Sequence, residues 1–473
     1  MSKGFRTFHA VNNTWNTTLY FPTPPTFLSD WEAQIDEVQA LFGSCTAQQR
    51  AQLLRTIILN LNEDKELIRD QYLTESGLSA SRFEIEFQRT VYTLEHFAER
   101  IESMLWQTED VLPNEQKKLL KKKLPIGTVL VLGSSNFPLA YSTIGGDSVA
   151  ALAAGCCVVL KAHPMHVGTS IAVATCVERA LHAHSLPTAV FSHVIDQAYH
   201  WASTFAQHPK IKAIGFTGSI RGGRALMDVA AARPAPIPVF AEMGSLNPVL
   251  LNADLRKAQV QEAAQKLAAS VCTDAGQFCT KPGLILVHDC HLHLFKETFL
   301  QALAQQKSYP MLHPDIFQKY EARKREVLKI KGIEAIHSSA AINGIEGRWC
   351  IAQASIQLLA NETTLQEEVF GPFTLLSSFQ NIEDLQTILG QLGGQLTFSL
   401  FQNDTHTLPP LLNQFIDEKV GRVILNGVPT GVSVVKAMHH GGAYPASSDA
   451  RFTAVGADSL LRFTKEICWQ IHQ

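Results

Sequence analysis

Apolar positions recur every three or four residues between about residues 29 and 110, as at Leu53, Leu54, Ile57 and Ile58 with charges between them, and this spacing predicts helices. From Thr128 the texture changes. "TVLVLG" is a short apolar run closed by glycine, followed by "SSNFPLAYSTIGGDSVAALAAG", a turn and then a small-residue helix. "CCVVLKAHP" repeats the scheme, with a helix through about His184, and "IKAIGFTGS" and "IPVFAEMGS" do so again with "GGRALMDVAAA" between them. Short buried runs alternating with helices of ten or more residues predict β-α-β units and a parallel sheet. A second set follows: "NPVLLN", a helix from about Asp254 to Thr273, a loop, "GLILVHD", a helix from about Leu292, then "EEVFGPFTLLSSF", "QLTFSLF" and "GRVILNG". The pattern predicts an α/β fold with two parallel-sheet domains meeting near Glu242. The tail, "SLLRFTKEICWQIHQ", alternates as a strand able to pair with an outside edge.

A chain of 473 residues with 46% apolar and 18% charged positions has ample interior for two or three cores, which excludes a largely disordered protein. Forty basic against forty-three acidic residues give a formal charge of -3, so nothing predicts nucleic-acid or membrane-surface binding. The one basic run, "KKLLKKKLP" (117–125), is interleaved with leucines and reads as a solvated edge or hairpin. Nine scattered cysteines without a C-x-x-C pair read as free thiols of a reducing compartment. With no apolar leader and no stretch of eighteen apolar residues, the chain is expected to be cytoplasmic and without a membrane span.

One cysteine stands apart. In "DAGQFCTKPG", Cys279 is surrounded by small, polar residues, and Pro282 stops any helix; a loop cysteine of this kind is a candidate nucleophile. Glu242 ends an apolar strand, where burial is expected to raise its pKa toward the range of a general base. Asn136 sits in a turn directly after a strand, and its amide is a donor for a developing oxyanion. Lys161 also ends a strand, where an ammonium reaches ribose hydroxyls or phosphate. No G-x-G-x-x-G occurs, but in "GFTGSIRGG" a strand, Gly218, Ser219 and a helix point free N–H groups at an anion. The potential ligands of "HDCHLH" (288–293) are too close in sequence for a tetrahedral site, and no metal is expected. Cys272, Cys156 and Cys157 read as packing. His439 and His440 are placed to line a substrate tunnel, without a catalytic role.

Six stretches, "NFP", "KAHP", "GFTGS", "AEMGS", "GQFC" and "EEVFGP", occur in the order found in the aldehyde dehydrogenase superfamily, which the chain resembles from about residue 20 to its end. The resemblance implies NAD(P)-dependent oxidation of an aldehyde to an acid through a cysteine thiohemiacetal and thioester. It implies that Cys279 is the nucleophile, that Asn136 and the Cys279 N–H hold the oxyanion, and that Glu242 activates water. Lys161, His163, Gly218, Ser219, Glu368 and Phe370 are the implied cofactor contacts. The fold implied is two Rossmann-like domains plus a small oligomerisation element. Residues 1–110 and 126–241 would bind the dinucleotide, 242–425 form the catalytic domain, 111–125 and 455–473 mediate oligomerisation, and 426–454 return near the substrate tunnel.

"KAHPMHVGTS" and the 426–456 region resemble the branch of 2-oxoglutarate semialdehyde (2,5-dioxopentanoate) dehydrogenases and NADP-dependent fatty aldehyde dehydrogenases. NAD-preferring relatives place a glutamate three residues after the lysine, where this chain has Pro164 beside His163 and His166, so NADP is expected, with NAD also accepted. Arg89 is the candidate for a substrate's far carboxylate, with Glu95 as an opposing charge nearby. The segment 305–350 is compact for this branch. A homodimer or homotetramer is implied.

Overall fold

A computed structural model describes residues 3–112, 117–337, 344–404 and 408–472. Helices Thr26–Ser44, Ala47–Glu63, Lys65–Ser76 and Ala80–Ser103 account for the periodic N-terminal region. Their apolar faces, including Trp31, Leu54, Ile57 and Phe97, are buried in one cluster with Val129, Leu130 and Val159. The helical period thus found a sheet to cover.

That sheet has five parallel strands in the order Phe191–Val194, Val158–Lys161, Thr128–Leu132, Ile211–Thr217, Val239–Glu242. The chain starts in the middle, winds outward, then crosses to the other side. In an open parallel sheet such a reversal leaves a crevice at the carboxyl ends of the two strands it separates. Here these are Thr128–Leu132 and Ile211–Thr217, which lead into 133–136 and 218–219. Topology therefore brings Asn136, Gly218 and Ser219 to one crevice.

A second sheet runs Glu334–His337, Cys350–Gln353, Phe373–Phe379, Leu284–His288, Pro248–Leu251, Gln395–Phe401, Val420–Leu425. It is parallel except at Glu334–His337, which pairs antiparallel with Cys350–Gln353. The sequence reading identified neither of those two strands, nor Phe191–Val194. FSHV, EAIH and CIAQ are each four residues long and lack the closing Gly, Pro or Asn that bounds other short apolar runs, so neither period nor punctuation marks them. The helix expected from about Asp254 begins at Lys257, and the cysteine loop follows its end at Cys272.

The tail and the basic run belong together. Thr464–His472 and Gln107–Leu112 flank Lys117–Pro125 in an antiparallel three-stranded sheet. The lysines are solvated and partly paired, Lys118 with Glu109 and Lys123 with Glu466. The outward face of the tail leaves Ile467, Trp469 and Ile471 exposed. Residues 338–343, within the compact 305–350 segment, lie outside the described residues. No helix among the described residues is long and apolar enough to cross a membrane.

Candidate active site

The cysteine loop is built on unusual backbone. Asp274, Ala275 and Gly276 take positive φ of 46°, 55° and 66° in succession, a conformation that costs a side-chain-bearing residue about 1 kcal/mol or more. Side chains from four directions hold it. Arg82 binds Asp274 at 2.7 Å while packing over the Phe137 and Phe278 rings. Asn247 donates to the carbonyls of Cys279 (2.8 Å) and Lys281 (3.0 Å). Lys281 Nζ donates to the Phe373 carbonyl at 2.7 Å. Asn136 Nδ2 donates to the Gln277 carbonyl at 2.8 Å, which ties the first crevice to the loop.

Gly276 has a second reason to be glycine: a Cβ there would lie 2.3 Å from the Gly371 carbonyl carbon. Gly276→Ala is therefore expected to destabilise the chain by roughly 3 kcal/mol and to slow turnover, because either the loop or the Phe370–Gly371 turn must shift. Thermal unfolding and steady-state rates of the variant check this.

Glu242, 5% exposed, emerges from the last strand of the first sheet and reaches His440, with Oε1 3.3 Å from His440 Nε2. The same nitrogen lies 3.7 Å from Cys279 Sγ. Cys279 thus has a buried imidazole and a buried carboxylate within reach. Removal from water pushes its thiol well above the ordinary range, and the nearby Glu242 charge pushes it further. His440 is 1% exposed and held by its backbone N–H on Thr453 Oγ1.

Two cavities meet at this thiol. One, of about 680 Å³, is lined by Arg82, Arg89, Phe137, Tyr141 and Phe278. The other, of about 310 Å³, is lined by Asn136, Gly218, Ser219, Glu242, Glu368 and Phe370. Cys279 lines both. A molecule in each would meet across one sulfur.

A family model described as the aldehyde dehydrogenase family matches residues 32–465. An alpha-ketoglutaric semialdehyde dehydrogenase of Acinetobacter baylyi is 36% identical, the match covering 96% of this chain and 90% of that protein.

The chain belongs to the aldehyde dehydrogenase family.

Alpha-ketoglutaric semialdehyde dehydrogenase 2 of Azospirillum brasilense is also 36% identical, over 84% of this chain and 77% of its own. Among solved structures, betaine aldehyde dehydrogenase of Staphylococcus aureus, in complex with NAD+, superposes with a TM-score of 0.84. It is 18% identical over 99% of this chain and 93% of that one, a likeness of fold. In this aldehyde dehydrogenase the smaller cavity is lined by groups that could hold a nicotinamide dinucleotide. Glu368 Oε1 and Ser134 Oγ are buried without a hydrogen-bond partner, free to meet ribose hydroxyls or a carboxamide. A Cβ at Gly244 would lie 2.4 Å from Glu368 Oε2, so a side chain there would displace the Glu368 carboxylate. Ser219 caps the helix Ile220–Ala231, whose N-terminal N–H groups suit a phosphate.

Of the remaining sequence candidates, two lie away from the thiol and one lines the larger cavity. Lys161 is buried with Nζ on the Asp196 carbonyl at 2.8 Å, and burial lowers its pKa to about 8. His163 precedes the turn Pro164–His166 and accepts from the Met165 N–H. Burial holds its imidazole well below the usual range, and neither residue is part of the lining around Cys279. Arg89 does line the larger cavity, donating to the Val432 carbonyl and the Tyr141 hydroxyl. The opposing charge expected from Glu95 is engaged elsewhere: six residues along the helix, it pairs with Arg55 at 2.9 Å. Two contributions were not legible in the sequence. His440, expected to line the substrate tunnel without a catalytic role, sits between the thiol and the carboxylate; the signal in the sequence is only "HHGG". Glu86, fully buried on the helix Ala80–Ser103, accepts from the Leu139 and Ala140 N–H groups and shapes the turn after Asn136.

Proposed function

We propose that this chain oxidises 2-oxoglutarate semialdehyde (2,5-dioxopentanoate) to the dicarboxylic acid, with NADP as the preferred dinucleotide and NAD also accepted. The observation that carries the reading is Cys279 at the junction of the two cavities. The names of the relatives at 36% identity support the substrate.

The aldehyde enters the larger cavity, where Phe137 and Phe278 bound its chain and Arg89 receives its far carboxylate. Cys279 transfers its proton to His440, which leaves the Glu242 carboxylate free for the later step, and its sulfur attacks the carbonyl carbon, forming a thiohemiacetal. The Asn136 amide and the Cys279 N–H take up the oxyanion. A dinucleotide held by Gly218, Ser219, Glu368 and Phe370 supplies the hydride acceptor. Glu242 then takes a proton from water, whose oxygen attacks the thioester carbonyl; the acid leaves and Cys279 regains its proton. His440 Nε2, between sulfur and carboxylate, hands protons between them. Lys161 and His163 belong to the adenosine end. No carboxylate stands in the 163–166 turn, which leaves a 2′-phosphate unopposed. The exposed Ile467, Trp469 and Ile471 form the surface for self-association into a dimer or tetramer.

The test is reduced-nicotinamide absorbance with NADP and NAD in parallel, across semialdehydes of dicarboxylates and long-chain aldehydes. The dicarboxylate semialdehyde is expected to be preferred. Arg89→Ala should raise KM for it by about ten- to a hundredfold, the worth of a charge-assisted hydrogen bond, with little effect on an uncharged aldehyde. Preference for a long-chain aldehyde, unaffected by Arg89→Ala, would replace this substrate with a fatty one. Dinucleotide binding without turnover of any aldehyde would leave a non-catalytic homologue.

A further inference from the structure

The three side chains around the thiol also have the chemistry and spacing of a metal site. Cys279 Sγ, His440 Nε2 and a Glu242 oxygen all lie within 4.8 Å of one another. Bonds of about 2.3 Å from zinc to sulfur, about 2.05 Å to nitrogen and about 2.1 Å to oxygen imply tetrahedral edges of about 3.6 Å for S–N and about 3.4 Å for N–O. The observed edges are 3.7 and 3.3 Å. Two of the three edges already match a tetrahedron to within about 0.1 Å.

Charge and hydrogen bonding agree with the spacing. Glu242 Oε1 is buried, makes no well-aligned hydrogen bond, and faces His440 Nε2 at 3.3 Å inside the cluster. A thiolate and a carboxylate together cancel a divalent charge, so the occupied site carries no net charge. His440 Nδ1, the nitrogen that carries the proton when Nε2 binds a metal, has no partner, so binding breaks no hydrogen bond at that atom. The larger and the smaller cavity both open onto Cys279, so a hydrated ion has two routes.

We propose that Cys279, His440 and Glu242 form a reversible inhibitory site for a thiophilic divalent cation, Zn2+ above all, with the fourth position left to water. Binding releases the Cys279 thiol proton to solvent and places the sulfur pair on the metal, so no nucleophile remains. The same ion occupies the carboxylate assigned to water activation. The inference rests on the residues of the proposed function but not on their catalysis, because binding is read without turnover.

The exposed Cys290, 3.1 Å from His288 Nδ1, is a competing ligand and is removed first. The full-length Cys290→Ser chain is titrated with Co2+, and absorbance is followed for a thiolate-to-cobalt charge-transfer band. One equivalent per chain is expected, displaced by Zn2+. The band should vanish in the Cys279→Ala form and need at least tenfold more Co2+ in the His440→Ala form, with circular dichroism unchanged in both. His440→Gln serves as the second variant should the alanine form misfold. In the same preparation Zn2+ should stop turnover, and EDTA should restore it. A band that survives Cys279→Ala, no band in the Cys290→Ser chain, or unchanged affinity in both His440 variants would overturn the site. Co2+ binding in a chain that turns over no aldehyde would uphold the site and sink the proposed reaction.

Discussion

Replacing Cys279 by alanine is expected to lower kcat/KM for the best aldehyde by roughly four orders of magnitude or more, while dinucleotide affinity stays within a few fold. The size follows from the position of the thiol. Among the described residues it is the one side chain shared by the two cavities, so it alone reaches both the aldehyde and the hydride acceptor. Cys272 also lines the larger cavity, but it is 6% exposed and burial pushes its thiol to about 12. Rates of reduced-nicotinamide formation, set beside dinucleotide titration by protein fluorescence, measure both quantities. Turnover that survives the substitution would place the chemistry on another group.

Glu242→Gln should separate the two halves of the reaction. Acylation of Cys279 and hydride release can still occur, because His440 remains 3.7 Å from the sulfur to accept its proton. Hydrolysis loses its base, a contribution worth roughly 10²- to 10⁴-fold. The expected trace is a burst of one reduced nicotinamide per active site followed by a slow steady state, with a thioester trapped on Cys279 and visible by intact-protein mass. The same substitution removes a charge that raises the Cys279 pKa. Alkylation of the thiol near neutral pH should therefore be faster in Glu242→Gln than in the parent, since a larger fraction is thiolate. A variant with no burst and unaltered alkylation would show that the carboxylate does not communicate with the sulfur.

Glu368 adds a pH dependence of its own to both experiments. Burial raises its carboxyl to about 7, opposed by the Lys281 charge and reinforced by that of Glu242. Below that value it is mostly protonated and donates one hydrogen bond; above it, the ionised carboxylate accepts only. Rate profiles are thus best compared at a pH well above it.

What the sequence by itself determined was the order of the main helices and strands and most of the candidate reactive groups. The alternation of apolar runs and helices specified two parallel sheets, because burial on both faces leaves that pattern in the chain. Small neighbours and a following proline marked Cys279 as a loop thiol, and six ordered stretches tied Glu242, Asn136, Gly218, Ser219, Glu368 and Phe370 to one family. Tertiary structure decided which groups meet. The order of strands in the first sheet opens the crevice that gathers Asn136, Gly218 and Ser219, and strand order is set by crossovers that leave no local trace. His440 lies 161 residues from Cys279 in sequence, so its 3.7 Å contact depends on the packing of a return segment with no period to read. The direction of Glu95, paired with Arg55 rather than facing Arg89, is likewise a matter of helix packing. A sequence names a side chain's chemistry, but long-range packing decides the distance, burial and neighbouring charge that turn chemistry into function.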